Sequence, residues 1–246
     1  MKIHGPKVGL FECPGGRIGW AMAGNANFAL SAIQKAANAV RKTTPESVLE
    51  KLETALAAEY ARVIYKHPHY KTDWNLGYWF LLAHWEKDCK RVSLFATEEI
   101  TIHSISVAYE CIGIGRDLGH YLLWPVTNRQ INSEREASIR AAHMLARVKD
   151  HVPGCGGMPN FLALRNDGTW ETLDSLALDR FAEHSALCEI TAQDLLVAAA
   201  DENVDDEHLE QLINLVGANA RMMRRFWNEV NVKDLSYALT RQAGGP

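Results

Sequence analysis

The pattern of apolar and polar positions along the chain begins with two short strands around a tight turn. Segments 7–13 and 17–23 each predict a strand. The intervening Pro14-Gly15-Gly16 predicts the turn, because proline and glycine supply the fixed and positive φ angles that such a reversal needs. Two strands around a turn of this kind predict a β-hairpin.

Helical spacing replaces the strand pattern after this hairpin. Apolar residues recur at helical spacing over 27–41, and a second such segment runs to about Lys66. Thr44 is the predicted N-cap of the second helix, with Pro45 at its first helical position. We expect two consecutive helices of this length to cover one face of a sheet.

The middle of the chain is rich in strand patterns. Segment 76–85 is almost continuously apolar, which predicts a strand buried on both faces. Further strands are predicted at 91–96 and 100–105. Segment 109–115 is predicted to end another strand in a glycine turn that leads into a helix near 118–123.

A capped helix and a second hairpin are predicted next. Ser133 and Glu136 have the spacing of a capping box, which predicts the start of a helix. Strands are predicted at 160–164 and 169–173, and Asn166-Asp167-Gly168 between them is typical of a hairpin turn.

The last part of the chain contains helical patterns only. Helices are predicted at 176–187, 192–200 and 207–226. This change of character predicts two parts, namely a mixed α/β core over residues 1–173 and a helical extension over 174–246.

Composition narrows the class of protein. The chain is 47% hydrophobic and 23% charged, with a formal net charge of −4, so no concentrated basic face favours nucleic acid. Its five scattered cysteines lack C-x-x-C spacing, which argues against a disulfide framework and a zinc site and favours a reducing compartment. No apolar run approaches the roughly 20 residues of a membrane span. We expect a cytoplasmic protein without a metal, a cofactor, a nucleic-acid partner or a membrane anchor.

The residues at the joints between these segments resemble those of proteasome β-type subunits, which are N-terminal-nucleophile (Ntn) hydrolases. Ala23-Gly24 ends a strand directly before a helix, Gly113-x-Gly115 forms a glycine turn, and Cys155-Gly156-Gly157 precedes the last strands. Each motif is short, but their order matches the family from Lys2 to about Leu173. The resemblance implies an α/β (α+β) fold, a four-layer αββα sandwich, here followed by the helical extension.

The resemblance also implies a chemistry. In this family an N-terminal threonine attacks the carbonyl carbon of an amide, and the chain's own α-amino group acts as the general base. A lysine lowers the proton affinity of the nucleophile, and a backbone N–H at a glycine stabilises the oxyanion. Lys2 is the candidate for this lysine and Lys7 the second candidate, while Gly24 matches the oxyanion glycine. Cys155 is either a polar group that assists the site or a small buried residue.

Two departures from the family pattern leave the function open. Only Met1 precedes Lys2, and Ile114 stands where the family has a serine. We expect that the chain is part of a longer protein whose upstream residues carry the nucleophile. The alternative is a non-catalytic structural or interaction subunit, and a third interpretation is a domain that binds a small molecule.

The resemblance extends to partners. Members of this family build rings, so we expect a homo-oligomer, with the helices after Leu173 as a possible added interface. If the chain is active, its substrate is a peptide or another amide.

Overall fold

The computed structural model describes residues 7–69, 76–106, 109–127, 133–157, 159–173 and 175–242. The strands in this part of the chain are β1 (Val8–Cys13), β2 (Gly16–Gly24), β3 (Tyr78–Glu86), β4 (Arg91–Glu98), β5 (Thr101–Ser104), β6 (Phe161–Leu164) and β7 (Trp170–Leu173). The α-helices are α1 (Ala26–Val40), α2 (Val48–Tyr60), α3 (Arg116–Thr127), α4 (Glu134–His151), α5 (Ser175–Ala200) and α6 (Asp206–Gln242).

The strands form two antiparallel sheets. In the larger sheet β1 to β5 lie side by side in chain order, each paired with the next, and β6 pairs with β7 in the smaller sheet. The register places Val8 opposite Ala21 and Gly16 opposite Glu86, so β2 is bonded along both edges. The predicted mixed α/β fold and its first hairpin are confirmed.

The first two helices pack on one face of the five-stranded sheet. Small side chains let α1 approach closely, since Ala29, Ala32 and Ala36 are completely buried. They share one apolar core with Ile18 of β2 and Phe80 of β3. This core explains why both helices carry apolar residues at helical spacing, as the sequence predicted.

The predicted strand around residue 80 alternates in burial. Tyr78, Phe80 and Leu82 lie in the helix-covered core, whereas Trp79 and Leu81 point to the opposite face and are half-buried. One face of β3 is therefore fully enclosed and the other only partly covered.

The β6–β7 hairpin is held against the end of the larger sheet by polar contacts. The Trp85 indole N–H donates to the carbonyl oxygen of Asn166 at 3.0 Å, and the Asn166 side chain accepts the Val92 N–H at 2.9 Å. The Arg17 guanidinium donates to the carbonyl oxygen of Gly168. The predicted turn is confirmed, and its own polar groups attach it to the larger sheet.

Three predicted details differ from the structure. Segment 109–112 is not a strand, and its backbone pairs with neither sheet. The Tyr109 and Glu110 side chains bond to His120 of α3 instead. The predicted helices 176–187 and 192–200 form one continuous helix, α5. Thr44 precedes a single 3₁₀ turn without a side-chain cap hydrogen bond, and α2 itself begins at Val48.

The chain divides into two compact units. The first comprises the described residues of 1–134, 148–156 and 160–172, and the second those of 135–147, 157–159 and 173–246. Within the second unit α4 is joined to α5, since the His143 ring and the Ser185 hydroxyl lie 2.7 Å apart. The boundary at residue 173 between core and extension stays a prediction. In the part of the chain that the structure describes, no helix combines the length and the hydrophobicity that a membrane span requires.

A buried carboxylate joins the two core helices. Glu59 on α2 is only 4% exposed and accepts hydrogen bonds from Lys35 of α1 at 2.8 Å and from Arg62 at 2.5 and 2.9 Å. The Ser31 hydroxyl adds a further bond at 3.2 Å. The hydrogen bonds from Arg62, then those from Lys35, lower the pKa of Glu59 to about 2 against the opposing effect of burial.

We expect Glu59→Gln to destabilise the chain at neutral pH by about 1–3 kcal/mol, because the charge-assisted hydrogen bonds from Lys35 and Arg62 weaken. Since the folded pKa is depressed, the stabilisation is complete above the ordinary value of 4.5 and is lost as pH falls towards about 2. Urea unfolding measured across this window should therefore show a shallower pH dependence in the variant. Glu50→Gln, at an exposed position of α2, is the control; equal slopes for wild type and Glu59→Gln would contradict the prediction.

Candidate functional site

The junction between β2 and α1 is built around one glycine. Gly24 has a φ of +86°, and a Cβ atom there would overlap the carbonyl oxygen of Gly77. That oxygen accepts the Asn25 N–H at 2.9 Å, and the Asn25 side chain caps α1 by accepting the Phe28 N–H at 3.3 Å. The chain therefore turns from strand to helix within two residues.

This junction has the features that an oxyanion site needs. Gly24 is exposed, so a substrate carbonyl could approach its backbone without meeting a side chain. It also lies at the N-terminus of α1, where the helix dipole favours negative charge. The oxyanion role that the sequence resemblance implied for Gly24 is compatible with this geometry.

A glycine turn packs beside the same junction. Gly113 has a φ of +85°, and a Cβ atom there would come within 2.7 Å of the Ala23 Cβ. At Gly115 a Cβ atom would lie 3.2 Å from the Cys155 sulfur. The turn thus lies between Ala23 on one side and Cys155 on the other, and the three motifs of the resemblance meet in space.

Lys7 lies at the same end of the sheet. Its carbonyl oxygen accepts the Met22 N–H at 2.9 Å, which places its backbone two residues from Gly24 in the ladder, and its side chain is exposed. The pKa of the Cys155 thiol is raised by burial, while the charge of Lys7 lowers it by a smaller amount. Burial therefore keeps the thiol protonated at neutral pH.

The predicted site residues have three different outcomes. Lys2 lies outside the described residues. Gly24 forms the junction, Lys7, the second candidate for the lysine, lies at the same end of β2, and Cys155 lies beside the glycine turn that packs on Ala23. Ile114, at the position of the family's serine, is 54% exposed and offers an apolar surface instead of a hydroxyl.

Three solved structures share the architecture. Anbu (ancestral beta-subunit) from Yersinia bercovieri has a TM-score of 0.59 at 16% identity, over 76% of this chain and 85% of that chain. The Anbu (Gly-1) mutant from Hyphomicrobium sp. strain MC1 has a TM-score of 0.54 at 13% identity, over 92% and 86%. The Anbu complex from Pseudomonas aeruginosa, described as a helical assembly, has a TM-score of 0.56 at 12% identity, over 77% and 83%.

The chain has the proteasome-like fold of these Anbu structures. This confirms the fold that the sequence resemblance implied. No protein-family model matches the sequence, and no curated protein matches it significantly. At 12–16% identity the similarity concerns the fold alone, so the activity has to be argued from the site.

Within this fold, a carboxylate–imidazole pair supports the glycine turn. Glu110 accepts the Cys111 N–H at 2.9 Å and lies 2.7 Å from the Nε2 atom of His120, with the Arg116 side chain 3.8 Å away. These contacts connect the segment before the turn to α3 after it. Sequence reasoning missed the pair, because its members are ten residues apart across an irregular turn and share no periodic pattern.

Two histidine rings lie close together in the loop after α2. The ring centroids of His67 and His69 are 5.9 Å apart. Among the described residues no group of three or more His, Cys, Asp or Glu side chains is placed to hold a metal ion.

We expect Gly24→Ala to destabilise the chain by about 1–3 kcal/mol or more, because alanine is strained at this φ and its methyl group would overlap the Gly77 carbonyl. The matched control is Gly156→Ala, where an added Cβ meets no atom within 4 Å. Chemical denaturation of both variants checks the prediction. Equal stability of the two variants would show that the junction relaxes and is not a fixed element of the site.

Proposed function

We propose that the chain is a subunit of a proteasome-like Ntn hydrolase, ancestrally a threonine-type peptidase or amide hydrolase. The observation that carries the proposal is that Lys7 and Gly24 lie at one end of β2, where the adjoining glycine turn packs against Cys155. In a proteasome-like fold this is the place where a lysine and an oxyanion glycine are needed together.

In the proposed mechanism the hydroxyl of an N-terminal threonine attacks the amide carbonyl, and the α-amino group of the same residue accepts its proton. The ammonium of Lys7 lowers the proton affinity of that hydroxyl. The backbone at Gly24 stabilises the negative charge that develops on the carbonyl oxygen. Cys155 supplies a neutral polar wall, since burial keeps its thiol protonated.

We assign the lysine role to Lys7 rather than Lys2 on two grounds. The backbone of Lys7 is bonded to Met22 in the ladder, which fixes its distance from Gly24. The connection from Lys2 to Gly24 is five residues longer, and longer than is usual in the family.

The second candidate function is a non-catalytic structural or interaction subunit with the same fold. One observation favours it, namely the exposed Ile114 where the family has a serine at the site. In either case we propose a homo-oligomer in the cytoplasm, with the helices after Leu173 forming a separate extension and an added interface. The related Anbu complex from Pseudomonas aeruginosa, described as a helical assembly, supports an assembling subunit.

Experiments on the protein isolated from its own cells distinguish the hydrolase from the non-catalytic subunit. Intact mass and N-terminal sequencing identify the first residue, and fluorogenic peptide amides measure hydrolysis. An N-terminal threonine, serine or cysteine together with hydrolysis supports the enzyme. A different N-terminal residue without hydrolysis, in a protein that still assembles, supports the structural subunit. A strictly monomeric protein at micromolar concentrations would contradict assembly.

For the active protein we expect Lys7→Ala to lower kcat/KM about 100-fold or more, the range for losing one electrostatic partner of the reacting groups. Thermal stability should change little, because the Lys7 side chain is exposed. Lys51→Ala, at an exposed position of α2, is the matched control and should keep full activity. Unchanged kcat/KM in Lys7→Ala would remove Lys7 from the mechanism.

A further inference from the structure

A second group of reactive side chains lies at the other end of β2, away from Gly24. Cys13 is the last residue of β1, and His84 lies on β3, so β2 runs between them. The Cys13 sulfur is 4.0 Å from the Nε2 atom of His84. This distance is at the outer limit of a thiol–imidazole hydrogen bond.

His84 is unusual for a core residue. It is 5% exposed, and its Nδ1 atom is buried without a hydrogen-bond partner. The nearest carboxylate oxygen, Oε1 of Glu86, is 3.8 Å from Nδ1. A buried polar atom without a partner costs about 1–3 kcal/mol, so the packing of the sheet alone gives no reason for an imidazole here.

We propose that Cys13 is a modification site for small uncharged electrophiles, with His84 as the general base and Glu86 as the group that orients the imidazole. The order nucleophile, base and orienting carboxylate runs across the sheet from β1 to β3. A neighbouring base can activate a thiol, and here the separations of 4.0 Å to His84 and 3.8 Å to Glu86 must shorten as the proton moves. The site is distinct from Lys7 and Gly24 and does not rest on the proposed hydrolase activity.

The step balances as a simple displacement. The Cys13 sulfur forms a bond to the electrophilic carbon, the leaving group departs with its electron pair, and the thiol proton passes to Nε2 of His84. In the required tautomer the Nδ1–H faces Glu86. With iodoacetamide as the electrophile, the products are a thioether, iodide and an imidazolium that returns its proton to water.

The electrostatics of the pair fit a neutral starting state. Burial, with a smaller effect of Glu12, raises the pKa of Cys13 to about 11. Burial also lowers the pKa of His84, while Glu86 opposes this in part. The thiol and the imidazole are therefore both neutral before the reaction, and the proton has to move as the new bond forms.

The charges around the Cys13 thiol favour neutral electrophiles over anionic ones. Glu12 and Glu86 are the acidic groups near it, and Arg17 is already paired with Glu12 at 2.7 Å. An anionic electrophile such as iodoacetate should therefore react more slowly at Cys13 than neutral iodoacetamide. The ratio of the iodoacetate rate to the iodoacetamide rate should be lower at Cys13 than at a cysteine without acidic neighbours.

The chain supplies its own reference cysteine. Cys188 is half-buried like Cys13, and burial alone raises the pKa of its thiol. If burial alone governed reactivity, Cys13 would react no faster than Cys188, because its pKa is raised to about 11. The proposal predicts the reverse order.

The full chain is labelled with iodoacetamide under native conditions, and the rate at each cysteine is followed by peptide mass spectrometry. We expect Cys13 to react at least about 10-fold faster than Cys188, a modest part of the range of general-base catalysis. His84→Asn should remove this advantage, and Glu86→Gln should reduce it several-fold while leaving the rate at Cys188 unchanged.

Two results would overturn the proposal. One is a Cys13 rate in the wild-type chain no higher than that of Cys188, and the other is an unchanged Cys13 rate in a folded His84→Asn variant. If His84→Asn loses its native circular dichroism, Glu86→Gln decides instead, because Glu86 is 42% exposed in its side chain and its replacement keeps the core. An unchanged Cys13 rate in that variant counts against the proposal.

Discussion

The abrupt passage from β2 into α1 is the constraint on which the rest of the core depends. Strand β2 is bonded along both edges, and α1 is packed through alanines on the sheet that contains it, so neither element can shift to ease the turn. The backbone must therefore take the positive φ of Gly24 directly against the Gly77 carbonyl. The glycine turn at Gly113 then rests on Ala23, one residue earlier. The candidate site is a consequence of how strand and helix are joined.

The two ends of β2 differ in exposure and in their polar contacts. At its start, Arg17 and the neighbouring Trp85 bind the β6–β7 turn, and the polar groups there are engaged by the fold itself. At its end, Gly24 and the Lys7 side chain are exposed. A single strand thus has a closed structural end and an open end. The Cys13–His84 pair lies near the closed end, but the thiol is only half-buried, so it is the exception to this division.

Sequence patterns predicted most helices and strands, because an element buried on one face has apolar residues at a regular spacing along its sequence. They placed both hairpins, the two core helices and the joints of the resemblance close to where the structure has them. They failed where side chains act across irregular backbone. The segment around Glu110 was predicted as a strand, but it is irregular, and the Glu110 carboxylate bonds to His120. The break predicted between residues 187 and 192 is absent, and α5 continues through it. The contact of Cys13 with His84 joins residues 71 positions apart, and no local pattern encodes it.

Gly24 and Lys7 differ in what they reveal about function. The fold alone requires glycine at position 24, since any side chain would overlap Gly77, so a non-catalytic relative would keep it as strictly as an enzyme. The fold does not require lysine at position 7, because only the backbone of Lys7 bonds to β2 and its side chain is exposed. A structural subunit would tolerate any exposed residue at position 7, whereas a threonine-type hydrolase needs a cation there. The effect of replacing Lys7 therefore discriminates between the two functions, and the loss of Gly24 does not.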